Sequence, residues 1–173
     1  MAFYFKFVKP SAGTVISSPA DPLEEGGGYE YFVMYACDRL ARTDCRFRIG
    51  GFGLDDWGFD VAYDMSSFME ELPSLIEGVC ARQDVDLFLY PQGVERTLFF
   101  SDEGSVISIR CESDTKWKPF PSVEKVPRRE FIAMLRNFAR DFSESLLSAA
   151  PLVADQPPFG QWRNAVESAI PAD

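Results

Sequence analysis

Carboxylates are the residues of this chain most open to a chemical role. Between Arg48 and Arg82 the sequence holds no lysine, arginine or histidine, and seven acids fall in that gap: Asp55, Asp56, Asp60, Asp64, Glu70, Glu71 and Glu77. Such a run could supply a general acid and base, hold a hard cation, or meet a basic partner. General acid–base work needs two carboxylates in unlike surroundings, and acids are too frequent here for any pair to stand out. Asp55 with Asp56, or Asp102 with Glu103, are the pairs a cation could use, but loop acids of this kind are ordinarily solvated, so no metal site is expected. The partner-binding reading gathers Asp55, Asp56, Asp60, Glu70 and Glu71 into an acidic recognition face with Trp57 at its loop edge. Trp117, between Lys116 and Lys118 in a proline-rich stretch, either packs against the fold or joins that face, because tryptophan is enriched at binding hot spots. A plainer account also stands. Lys116 to Arg140 carries seven bases against two acids, so an acidic and a basic segment could simply lie side by side.

Other chemistry is excluded or weak. The chain has no histidine, which removes a Ser-His-Asp triad, a Cys-His dyad and any imidazole-ligated metal. Cys37, Cys45, Cys80 and Cys111 form no C-x-x-C pair, and read as reduced thiols used for packing. "GGFG" at 50–53 looks like a phosphate loop, but it links two predicted strands and is followed by Asp55 and Asp56, which repel phosphate. No cofactor site is expected.

The whole chain limits the partners. It has 173 residues, a net charge of −10 and a pI near 4.5. That balance disfavours nucleic acid and anionic membranes as ligands and favours a basic protein rather than a small molecule. Hydrophobic residues make up 46%, with 16 phenylalanines, enough for one folded domain over 1–173. No apolar run is long enough to cross a bilayer, and the N-terminal MAFYFKFVKP lacks the features of a signal peptide. A cytoplasmic location is expected.

The elements that must position these residues follow from periodicity. Residues 3–8 read as a strand, 10–28 as a mobile loop ending in three glycines, and 29–37 (YEYFVMYAC) as a central strand. Cys45, Phe47 and Ile49 alternate with Arg46 and Arg48, and Trp57, Phe59, Val61 and Tyr63 alternate with Gly58, Asp60 and Asp64. These predict a hairpin that sets Arg46 and Arg48 near Asp60. Phe68, Leu72, Leu75, Ile76 and Val79 form a helical stripe with Pro73 inside it, where a kink or a tightened first turn is expected. Strands at 84–90, 94–100 and 105–111 form a meander. Residues 112–127 read as an irregular, proline-rich connection. A long helix over 128–149 and a short one near 159–168 complete the chain. The prediction is an α+β fold: one antiparallel sheet of about six or seven strands, two main helices on one face, and a short C-terminal helix.

In "WGFDVAYDMSSFMEELPSLIEGV", "LFLYPQGVERTLFFSDEGSVISI" and "REFIAMLRNFARDFSESLLSAAP", about half the chain in all, the layout resembles immunity proteins of bacterial polymorphic-toxin and contact-dependent competition systems. The resemblance is one of general layout and transfers no residue role. It implies a non-enzymatic inhibitor that binds a toxin or effector encoded nearby. Two other classes stay open: a small enzyme or metabolite-binding domain with a pocket at Cys37, Tyr63 or Tyr90, and a structural or adaptor subunit of secretion or phage machinery.

Overall fold

The computed structural model describes residues 2–16 and 28–170. In chain order the elements are β1 (Tyr4–Val8), α1 (Tyr29–Leu40), β2 (Arg46–Gly50), α2 (Asp64–Cys80), β3 (Val85–Leu89), β4 (Arg96–Asp102), β5 (Val106–Ser113), β6 (Val123–Pro127), α3 (Arg128–Ala149), α4 (Pro151–Ala154) and α5 (Pro157–Ala169). The α+β class is as expected. The single sheet is not: β1 and β2 form an antiparallel pair of their own, and β3-β4-β5-β6 form a separate antiparallel sheet.

The two sheets share one core, held mainly by aromatic rings. Phe5 and Phe7 of β1 and Phe47 of β2 point inward and meet Phe68 of α2 and Phe131, Phe138 and Phe142 of α3 at centroid distances of 5.1–6.4 Å. Phe100 of β4 touches both Phe3 and Phe131, which ties the larger sheet to the smaller. Each fully buried phenylalanine contributes about 1.5–3 kcal/mol of transfer free energy, so these rings carry much of the fold's stability. Most ring pairs are tilted or edge-on, the favoured arrangement for aromatic quadrupoles.

Three local expectations are corrected. Residues 29–37 are helical, within α1. Phe32, Val33, Ala36, Cys37 and Leu40 are buried while Glu30, Met34 and Asp38 are exposed, a period near four rather than two. Residues 57–61 do alternate between buried and exposed, yet they form no strand. Trp57 donates its backbone N–H to the Ile49 carbonyl at 2.8 Å, but Gly58 then turns with φ of +72° and β2 pairs with β1 instead. Residues 123–127, inside the stretch expected to be irregular, form β6 against β5.

The glycine-rich 50–53 stretch has a packing role. A Cβ on Gly50 would lie 2.4 Å from the Asp55 carbonyl oxygen, and one on Gly53, at φ +89°, would lie 2.5 Å from that of Phe120. Only glycine lets the chain fold back this tightly. The expected loop 10–28 is a turn near its start, where Ser11 binds the Asp44 carboxylate and Ile16 donates to the Ala149 carbonyl. Residues 17–27 of it lie outside the described residues. No helix among the described residues is long and apolar enough to cross a membrane.

Candidate functional site

The acids between Arg48 and Arg82 meet unlike surroundings. Those in the loop before α2 are bound to their own surroundings. Asp56 accepts Arg48 Nε at 2.8 Å and the Gly58 backbone N–H at 2.9 Å. The Gly58 N–H first, and Arg48 after it, holds the carboxyl below its usual range. Asp60 accepts the Tyr63 N–H at 2.6 Å, and Asp64 accepts the Asp60 N–H at 2.9 Å. That reciprocal pair closes the first turn of α2, where free amides attract carboxylates. Asp55 is exposed, and its carbonyl oxygen takes the Tyr4 hydroxyl at 2.6 Å. Arg46, Arg48 and Asp60 line one cavity, as the predicted approach would have it, but the ion pair formed there is Arg48–Asp56.

The two tryptophans assigned to the face come together, but inside the fold. Trp57 is buried and donates Nε1–H to the Gly51 carbonyl at 3.2 Å. Trp117 is half-buried against it, with ring centroids 6.0 Å apart. Arg96, at the start of β4, sits over both rings, 4.2 Å from Trp57 and 4.3 Å from Trp117, with Phe59 at 5.1 Å. Arg96 is 5% exposed, and its Nε and Nη1 lack hydrogen-bond acceptors. Burial pulls its pKa down, against the opposing pull of Cys111 and Asp64. The aromatic faces supply the compensation a buried cation needs. Read along the chain, Arg96 is one more alternating strand residue, and only the tertiary meeting of residues 57, 96 and 117 gives it this role.

A second group lies where α1, α2 and β3 meet. Glu70 accepts the Tyr90 hydroxyl at 2.8 and 3.0 Å. Glu71 has its pKa pushed up by burial, then by the charges of Glu70 and Glu30. Tyr90 is pushed up to about 12, by burial and then by its bond to Glu70, with Glu30 adding to the effect. Glu70 and Glu30 thus both act on Glu71 from two helices, and the sequence alone does not single out Glu30. Among the described residues none of the three is in an ion pair. Around them Tyr63 is 70% exposed and Tyr90 47%. Phe88, whose ring lies 6.5 Å from that of Tyr90, is also exposed.

A proline sets this group in place. Pro73 lies in the interior of α2 rather than in a first turn, and the helix continues through it. Lacking an N–H, it cannot serve the carbonyl of Met69 one turn back. The Tyr29 hydroxyl donates to that carbonyl instead, at 2.7 Å. Burial first, then Cys37 and Glu70, pushes the Tyr29 pKa up, so its proton stays on the bond. The bond fixes α1 against α2 one residue from both Glu30 and Glu70.

Cys37 is fully buried and its thiol is pushed up by burial, while Tyr63 and Tyr90 are exposed. All four cysteines are free, and no group of three potential metal ligands occurs among the described residues. Comparison with known families, characterised proteins and solved structures gives no match for this chain.

Proposed function

We propose that this chain is a non-catalytic binding module. In this reading it docks a cationic protein on the surface made by Glu30, Glu70, Glu71, Tyr63 and Tyr90. Its most concrete form is an immunity protein that neutralises a toxin or effector encoded nearby. The observation that supports the reading is that Glu30, Glu70 and Glu71 lie close enough for Glu70 and Glu30 to add to burial in raising the Glu71 pKa, while among the described residues none of the three is in an ion pair. Like charges held together cost free energy unless something opposite in sign relieves them. A partner's lysine or arginine would do so, and the exposed tyrosine rings beside the acids add faces on which a guanidinium can stack. A nuclease, whose substrate groove is basic, fits this chemistry. Of the residues first assigned to the face, Glu70 and Glu71 remain. Asp55, Asp56 and Asp60 become loop and cap residues, and Trp57 and Trp117 become supports.

The test is co-expression with the products of neighbouring open reading frames, scored by protection of the cell and by co-purification. Protection by the wild-type chain, lost in Glu70→Lys with Glu71→Lys and kept in Asp55→Lys, supports this surface. Failure of the wild type to protect or to co-purify with any neighbour removes the immunity reading.

A further inference from the structure

A groove of about 470 Å³ lies between residues of α3 and α5, within the range of small-ligand sites. Leu147, Trp162, Val166 and Ile170 give it an apolar wall, and Arg140 and Arg163 stand along it. Of the acids that also line it, Glu144 pairs with Lys9 at 3.0 Å, and Glu167 lies 3.9 Å from Arg163, whose Nε–H makes no hydrogen bond, so the three arginines of the lining outnumber its two glutamates. Arg140 reaches its sequence neighbour Asp141 at 3.3 Å and keeps 54% of its side chain exposed. Trp162 is 4% exposed, yet its Nε1–H has no acceptor. Indole can only donate, and a buried donor left alone costs about 1–3 kcal/mol. The groove thus combines an apolar wall, a buried donor without an acceptor, and two guanidinium groups with spare donors.

We propose that this groove binds an amphiphilic anion, a ligand with an aliphatic or aromatic body and a carboxylate-type head. The body lies along Leu147, Trp162, Val166 and Ile170. The head is held by Arg140 and Arg163, which match a planar two-oxygen acceptor better than a single point charge. A cationic amphiphile of equal length buries the same area but faces two like charges. This site is separate from the carboxylate surface on α1 and α2, and neither proposal depends on the other.

Dodecanoate, below its micelle threshold, is the probe. The chain has three tryptophans, whose nitrogen-15 indole resonances can be followed separately once the Trp162 signal is assigned with Trp162→Phe. The expected result is a saturable shift of the Trp162 signal with the Trp57 signal unmoved. Affinity should fall about tenfold in Arg140→Ala or Arg163→Ala and about 100-fold in the double variant, the size of one and of two lost charge-assisted bonds, and partly recover in the double lysine variant. Dodecyltrimethylammonium should bind at least about tenfold more weakly for the same reason. No shift with dodecanoate, an equal shift with the cationic amphiphile, or movement of all three signals together would overturn the site. So would a Trp162 shift that depends on protein concentration without ligand, which would give the groove to a second copy of the chain.

Discussion

Two stretches of the same acidic run behave in opposite ways. Asp56 and Asp60 sit among groups that want a negative charge: a guanidinium, a glycine amide and the open amides at the start of α2. Glu70 and Glu71 sit beside Glu30 and a tyrosine hydroxyl. In the first region the chain's own donors meet the charge, and in the second, among the described residues, no carboxylate is in an ion pair and burial with like charge raises the Glu71 pKa. The density of acids along a chain therefore says little about surface potential. What matters is whether backbone amides and side-chain cations reach each acid first.

The strongest way to break this comparison is to reverse charge in each region and measure partner binding. Glu70→Lys with Glu71→Lys should weaken it by about 100-fold, in line with losing close charge pairs across an interface. Asp55→Lys should change it by less than about threefold, as a mutation outside the contact does. Equal losses would mean that the whole run forms the surface. A smaller effect is expected for Trp117→Ala. It uncovers Arg96 and removes half of its aromatic sandwich, which should lower stability by about 2 kcal/mol in chemical denaturation, with binding unchanged. If binding fell instead, Trp117 would belong to the interface after all.

The pattern of what was legible follows from the same distinction between local and distant causes. Strands β2 to β5 and helices α2, α3 and α5 were readable because each has one buried face, and the period shows it. The helix α1 was misread because it is buried over a wide arc and rich in aromatic residues that favour strands. Its helical signal lay in the exposed Glu30, Met34 and Asp38, four residues apart. Residues 57–61 gave the right alternation and the wrong structure, since side-chain burial does not reveal whether a backbone has a partner strand. In the site, the types of Glu70 and Glu71 were legible and their neighbours were not. Glu30 and Tyr90 reach them only through the packing of α1 on α2 and the end of β3.

That packing gives the next prediction. Tyr29→Phe leaves the Met69 carbonyl without a donor and should cost about 1–2 kcal/mol. In a Pro73→Ala background the helix can supply its own N–H, so the same change should cost less than half as much. An unchanged cost would show that Tyr29 acts through its ring rather than its bond to Met69. Because the bond sets Glu30 beside Glu70, Tyr29→Phe should also weaken partner binding, whereas Asp60→Ala, with a cap loss of about 1 kcal/mol, should not.

The smallest effect is also the most diagnostic, because its sign differs between the two regions. Asp56 has a lowered pKa in the folded chain, so its contribution to stability is present above the ordinary carboxylate range and is lost as pH falls through the lowered value. Glu71 has a raised pKa, so its relative stabilisation is present below that range and is lost as pH rises through the raised value. Glu71→Gln should then increase stability near neutral pH by about 0.3 kcal/mol, the size expected for a partly exposed like-charge contact, and the gain should vanish at acidic pH. Asp56→Asn should do the reverse, lowering stability at neutral pH and leaving it unchanged in acid. A bound cation favours ionised Glu71, so partner affinity should climb with pH through the raised value in the wild type and stay flat in Glu71→Gln. If both substitutions shifted the pH–stability curve in the same direction, the two regions would be electrostatically alike, and the carboxylates on α1 and α2 would have no claim to be the docking surface.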